Sequence, residues 1–85
     1  MIDDDQDLCL LLSRLLSKNG YHVATAHRGS TAREAVNTQR FDLVLCDHRL
    51  PDTDAPAMLE YIRSTSPGTQ VIIITGYSEV RMAVE

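Results

Sequence analysis

Lysine is almost missing from this chain. Lys18 is the one example in 85 residues, and eight basic residues stand against twelve acidic ones for a net charge of −4. A phosphate backbone is held by a basic footprint, so the balance argues against direct nucleic-acid binding by this segment. Tyr21, Tyr61 and Tyr77 are dispersed and form no stacking platform for bases. No apolar run approaches the roughly 20 residues of a membrane helix, and the N-terminus, Met1-Ile2-Asp3-Asp4-Asp5, is acidic where a secretory signal is basic. No membrane partner is expected, and the cytoplasm is the expected location. Cys9 and Cys46 lie far apart in apolar runs, with no C-x-x-C and no His at zinc spacing, and read as buried thiols of a reducing compartment. Repeats, low-complexity tracts and linker-like stretches are also lacking, which leaves one domain over residues 1–85.

What is present alternates between strand and helix patterns. After the stub Met1-Ile2, the spacing of Leu8, Leu11, Leu12, Leu15 and Leu16 predicts an amphipathic helix from about Gln6 to Lys18, stopped by Asn19-Gly20. Tyr21 to Ala26 is a strand candidate. Thr31-Ala32-Arg33-Glu34 reads as a capping box opening a second helix with Ala32, Ala35 and Val36 facing inward. Phe41 to Cys46 is a near-continuous apolar run, as a central parallel strand requires. Pro56 suits the first turn of a third helix with Met58, Leu59 and Ile62 in the core, ended by Ser66-Pro67-Gly68. Val71 to Ile74 is the most strand-like run, and a fourth helix is expected from near Ser78, with Val80, Ala83 and Val84 on one face. The order β-α-β-α-β-α-β-α implies an α/β fold, a doubly wound parallel sheet, whose ligands sit at the carboxyl ends of its strands. Function is therefore sought just after Ile2, Cys46 and Ile74.

Asp3, Asp4 and Asp5 follow the first strand, Asp47 follows the third, and Thr75 follows the fourth. Parallel neighbours would bring these carboxylates onto one rim, where they repel unless a cation or proton relieves them. An all-oxygen donor set without Cys or His selects a hard ion, and Mg²⁺ takes one or two carboxylates with waters and a phosphate. The blander alternatives are an acidic helix N-terminus for Asp3 to Asp5 and a strand-end turn for Asp47. Asp5 and Asp7 are left with dipole work alone. EF-hand readings fail, because Leu8 stands where the loop Gly is needed and Pro56 interrupts the Asp52-x-Asp54 frame. His48 is expected to point away from Asp47, and His22 and His27 to be surface groups. Arg28, Arg33 and Arg40 are read as a solvated face.

At these residues the chain resembles the receiver domain of bacterial two-component response regulators. The matching segments are Ile2-Asp3-Asp4-Asp5, Phe41 to Asp47, Leu50-Pro51 with Asp54, and Val71 to Gly76. The resemblance implies a flavodoxin-like fold and a phosphoacceptor at Asp47. It places Mg²⁺ on Asp3, Asp4, Asp47 and the backbone carbonyl of Arg49, and makes Thr75 the switch hydroxyl. It implies a sensor histidine kinase as phosphoryl donor, and a homodimer or covalently attached output domain as the readout. Such a protein catalyses its own modification but is a signalling switch rather than an enzyme. The segment Thr75 to Arg81 is similar to receivers of sigma-54-dependent activators of the nitrogen-regulation class, which implies transcription regulation.

The chain also departs from that family. The fifth strand with its Lys, and the fifth helix, are absent, and the first strand is clipped to two residues. The expectation is an excerpt of a longer chain, or a partner covering a flat apolar edge at Val71 to Ile74. Ala55 stands where the family usually has Gly, with strain expected if its backbone needs positive φ. The missing Lys keeps a second reading alive, an interaction module that phosphorylation does not switch.

Overall fold

Asp5 starts the first helix of the computed structural model, which describes residues 1–74 and the backbone of 82–84. Its carboxylate accepts from the Leu8 amide at 3.0 Å, capping α1 (Gln6–Lys18). At the other end the amides of Asn19, Gly20 and Tyr21 return to the carbonyls of Leu16 and Ser17. Gly20 sits at φ +92°, the left-handed turn that lets the chain leave the helix. The elements that follow are α2 (Gly29–Thr38), β1 (Leu43–Asp47), α3 (Ala55–Thr65), β2 (Gln70–Ile74) and β3 (Met82–Val84).

β1 and β2 pair in parallel, with Val44 opposite Val71 and Asp47 opposite Ile74. Ile2 is bridged in parallel to both Cys46 and Ala26. Its amide donates to the Leu45 carbonyl at 2.7 Å, while the Asp3 amide donates to the Ala26 carbonyl at 2.9 Å. Across the sheet the order is therefore Ala26, Ile2, β1, β2, β3. The chain steps one way from Ile2 to Ala26 and the other way from Ala26 to β1 and on to β2. Right-handed crossovers then put α1 on one face and α2 and α3 on the other.

The core lies under α2 and α3, where Ala32, Val36, Ala55, Met58 and Ile62 meet Val44, Cys46 and Val71. Tyr61 Oη donates to Asn37 Oδ1 at 2.8 Å and ties the two helices at the surface. Arg33, expected on a solvated face, instead sets its guanidinium 5.7 Å from the centre of the Tyr61 ring.

Five expectations need correction. Tyr21 to Ala26 is not a full strand: it is bridged only at Ala26, because Met1-Ile2 offers just two residues to pair with. The capping box at Thr31 does not open α2, which begins at Gly29 and takes its cap from Asp52 across the loop. Ala55 carries no positive-φ strain, since it is the first helical residue of α3, behind an Asp54 side chain that accepts from Ala57 at 3.0 Å. In α1 the inward stripe runs through Cys9, with Leu8, Leu12 and Leu16 half-buried, while Leu11 and Leu15 are exposed.

The fifth correction concerns the last segment. Ala83 and Val84 are not helical but belong to β3, antiparallel to β2 with Ala83 opposite Ile73. The unpaired amides and carbonyls of β2's edge are strong partners, and a short apolar strand satisfies them. Of the bare edge expected at Val71 to Ile74, Ile72 to Ile74 are thus covered. Ser78 and Val80, with the start of the expected fourth helix, lie outside the described residues.

Candidate functional site

Two parallel connections build the site. The Asp47 amide donates to the Ile2 carbonyl at 2.8 Å, so the residues after Ile2 and those ending β1 emerge at the same sheet rim. Asp3, Asp4 and Asp47 each bring a carboxylate oxygen to within 4.8 Å of the other two. Residues some forty positions apart thus converge, as the alternation of strands and helices implied.

The three carboxyls are not equivalent. Asp3 is buried, with Oδ1 accepting from the Asp5 amide at 2.9 Å. Burial pushes its pKa up from the ordinary carboxylate range, against that amide and with the nearby charges of Asp4 and Asp5. Asp47 is half-buried and is likewise pushed up, first by burial and then by the Asp3 charge. Asp4 is exposed. Crowding and desolvation both disfavour the charged forms here, so the rim is poised to take up positive charge. The donor set is all oxygen, and a hard divalent cation fits it.

The backbone beneath Asp3 is fixed from two sides. Cys9 Sγ donates to the Asp3 carbonyl at 3.4 Å, and His27 Nδ1 lies 3.0 Å from the same oxygen. His27 is therefore half-buried beside the site rather than a surface group. Burial pushes the Cys46 thiol up to about 11, so it is inert next to Asp47.

After Asp47 the chain stays on the rim. The His48 amide donates to the Ile74 carbonyl at 3.0 Å, and its side chain is exposed. Arg49 is exposed, with its backbone bridged to Asp54. Thr75 lies outside the described residues.

Sequence reasoning missed Asp52. Its carboxylate accepts from the amides of Gly29 at 2.7 Å and Ser30 at 3.0 Å, and stands 3.7 Å from Arg28 Nε. Nothing local signalled this, since its partners lie 22 and 23 positions away.

Comparison with known proteins gives one family. Response regulator receiver domains match the whole chain, residues 1–85. The transcriptional regulatory protein ZraR of Escherichia coli K12 is 46% identical over all 85 residues, which span 19% of that protein. Sporulation initiation phosphotransferase F of Bacillus subtilis is 33% identical over the whole chain and 68% of its own length. Among solved structures, a response regulator from Burkholderia pseudomallei superposes with a TM-score of 0.84 at 25% identity, over 89% of this chain and 45% of that one. That structure holds a phosphorylated aspartic acid, a calcium ion and citrate.

Proposed function

The chain belongs to the family of response regulator receiver domains, and from that premise we propose that Asp47 is its phosphoacceptor, served by Mg²⁺ held on Asp3, Asp4, Asp47 and the Arg49 carbonyl. The observation that carries this reading is the convergence of the Asp3, Asp4 and Asp47 carboxylates within 4.8 Å. The calcium ion and phosphorylated aspartic acid of the Burkholderia pseudomallei regulator support it.

A carboxylate oxygen of Asp47 attacks the phosphorus of a phosphohistidine on a sensor histidine kinase. The new P–O bond forms as the P–N bond breaks, and the departing imidazole keeps the electron pair and takes a proton. When bound, Mg²⁺ supplies the positive charge that offsets repulsion between carboxylate and phosphoryl group. Asp3, oriented by the Asp5 amide, and Asp4 would hold the cation side of the site. The ladder between Ile2 and β1 fixes the distance from Asp3 to Asp47.

The acyl phosphate adds charge and acceptor oxygens to the rim, and Thr75 is the hydroxyl drawn toward it. The chain is then a cytoplasmic signalling switch rather than an enzyme acting on a separate substrate. Its readout is a homodimer or an attached output domain that regulates transcription.

The test is the intact mass of the chain after incubation with a small acyl-phosphate donor, with and without Mg²⁺, beside Asp47→Asn. Gain of one phosphoryl group that needs both Mg²⁺ and Asp47 is expected. A gain that survives Asp47→Asn would overturn the assignment, and no gain under any condition would favour the unswitched interaction module.

A further inference from the structure

We propose that Asp52 is a positioning residue that closes the carboxylate site, holding the loop after Asp47 to the first turn of α2. The inference rests on the reading of Asp3, Asp4 and Asp47 as a cation-assisted phosphoacceptor site, and assigns to that site a residue which touches neither cation nor phosphoryl group.

The first amides of a helix have no partner within it. In α2 the N-cap, Arg28, offers no side-chain bond, and the Asp52 carboxylate takes the two amides of Gly29 and Ser30 instead. These donors, Gly29 first, hold the Asp52 carboxyl below the ordinary carboxylate range. The neighbouring Thr53 accepts from Arg33 Nη2 at 3.4 Å. Gly29 is required by this approach, since a Cβ there would collide with Thr53 Cγ2 and stand 3.1 Å from Asp52 Oδ1.

These contacts close a ring around the site. The base of the loop is fixed to the sheet by the His48 amide on Ile74 and by the Ala55 amide on His48, both at 3.0 Å. Its tip reaches the rest of the fold through Asp52 and Thr53. Just before Gly29, Ala26 and His27 contact the backbone of Asp3. Asp3 in turn is joined to Asp47 through the Ile2 carbonyl. The Asp52 carboxylate, with Thr53 beside it and Leu50 buried in the core, thus links the chain leaving Asp47, which carries Arg49, to the segment that supports Asp3. Freed of that link, the loop tip loses its register against α2 while the core stays intact.

The test compares the full chain with Asp52→Ala, Asp52→Asn and Gly29→Ala, with Tyr61→Phe as a control that removes the hydroxyl bond to Asn37 between α2 and α3 and keeps the ring beneath Arg33. Three quantities are read: hydrogen exchange at the Gly29 and Ser30 amides, Mg²⁺ affinity by calorimetry, and the phosphorylation rate with a small acyl-phosphate donor at limiting and saturating Mg²⁺. Asp52→Ala is expected to speed exchange at Ser30 and Gly29 and to weaken Mg²⁺ binding about tenfold, the lower end of what lost support around a metal site costs. Saturating Mg²⁺ should restore most of its rate. Asp52→Asn, which keeps one acceptor oxygen, should fall between. Gly29→Ala should repeat the Mg²⁺ defect from the other side of the contact, and Tyr61→Phe should match wild type. If Asp52→Ala does not melt cooperatively, Asp52→Asn and Gly29→Ala are read in its place. Faster exchange with unchanged Mg²⁺ affinity and rate would overturn the inference while leaving the phosphoacceptor reading intact. A wild-type chain that neither binds Mg²⁺ nor gains a phosphoryl group would overturn that reading itself.

Discussion

On one face of the sheet, α2 and α3 bury Val36, Met58 and Ile62 to 8% exposure or less, together with Val44 and Val71. On the other, α1 buries Cys9 alone and leaves Leu11 63% and Leu15 54% exposed. Both layers come from amphipathic helices, so amphipathicity does not separate them. What separates them is reciprocity. α2 and α3 pack on each other as well as on the strands, whereas α1 contributes no residue to that buried cluster. Helical spacing shows which residues share a stripe, and only the facing element decides how much of that stripe leaves water.

The largest effect expected is on the side of α3. Ile62 is fully buried, so Ile62→Ala removes buried methylenes and leaves a cavity, at a cost of about 2–5 kcal/mol. For an 85-residue domain that is a large share of total stability. Denaturant melts should show a large drop in midpoint. A loss under about 1 kcal/mol would mean that the two layers are equally loose, and the comparison would fail.

The carboxylate rim, where the layers meet beneath Asp3, gives the next effect. Asp3 and Asp47 hold their protons to higher pH in the fold than in the unfolded chain. Without a divalent cation, stability from these groups is full below the ordinary carboxylate range and lost as pH rises through their raised values. The melting temperature of the cation-free chain should therefore fall between acid and neutral pH. Mg²⁺ should reverse this at neutral pH, by about 2.7 kcal/mol at a hundredfold excess over its Kd. Asp3→Asn should flatten the pH dependence and remove most of the Mg²⁺ effect. A melting temperature that rises steadily toward neutral pH would contradict the repulsion argument.

Much of this was legible in the chain itself, and the failures share a cause. The extent of α1, though not its inward stripe, was readable because its signals are local: leucine spacing and Asn19-Gly20 at the end. β1 and β2 were readable as apolar runs, and parallel topology then predicted the meeting of Asp3, Asp4 and Asp47. Where a distant partner decides, local signals misled. Thr31 carries a capping-box pattern, yet Asp52 caps the helix two residues earlier. Ala83 and Val84 fit a helical face, yet the open edge of β2 takes them as strand. His27 lacks metal spacing, and no pattern in its own segment places it against Asp3.

Helix caps extend the comparison at smaller scale. Asp54 caps α3 and Asp5 caps α1 with the same bond, the carboxylate accepting from the amide three residues on, at 3.0 Å in both. Either change to Ala should cost about 1 kcal/mol if caps act locally. Asp54→Ala should cost more than Asp5→Ala, because fraying α3 also loosens Ala55 and Met58, both 1% exposed or less, whereas the first turn of α1 covers little. Equal losses in parallel melts would show that the two helices are anchored alike.

The smallest effect is expected at Leu11, and it reads the α1 face directly. At 63% exposure Leu11 has little contact to lose, and leucine and alanine are both good helix formers. Leu11→Ala should therefore stay within about 0.5 kcal/mol of wild type, the usual range for surface changes. Leu12→Ala, one position on and half-buried, should cost more, because its side chain lies on the inward side of the helix with Cys9 and Leu16. The two side chains are chemically identical and sit on the same helix, so the difference between their melts isolates burial. If Leu11→Ala costs as much as Leu12→Ala, something in solution covers the outer leucines, and the loose face is an occupied one.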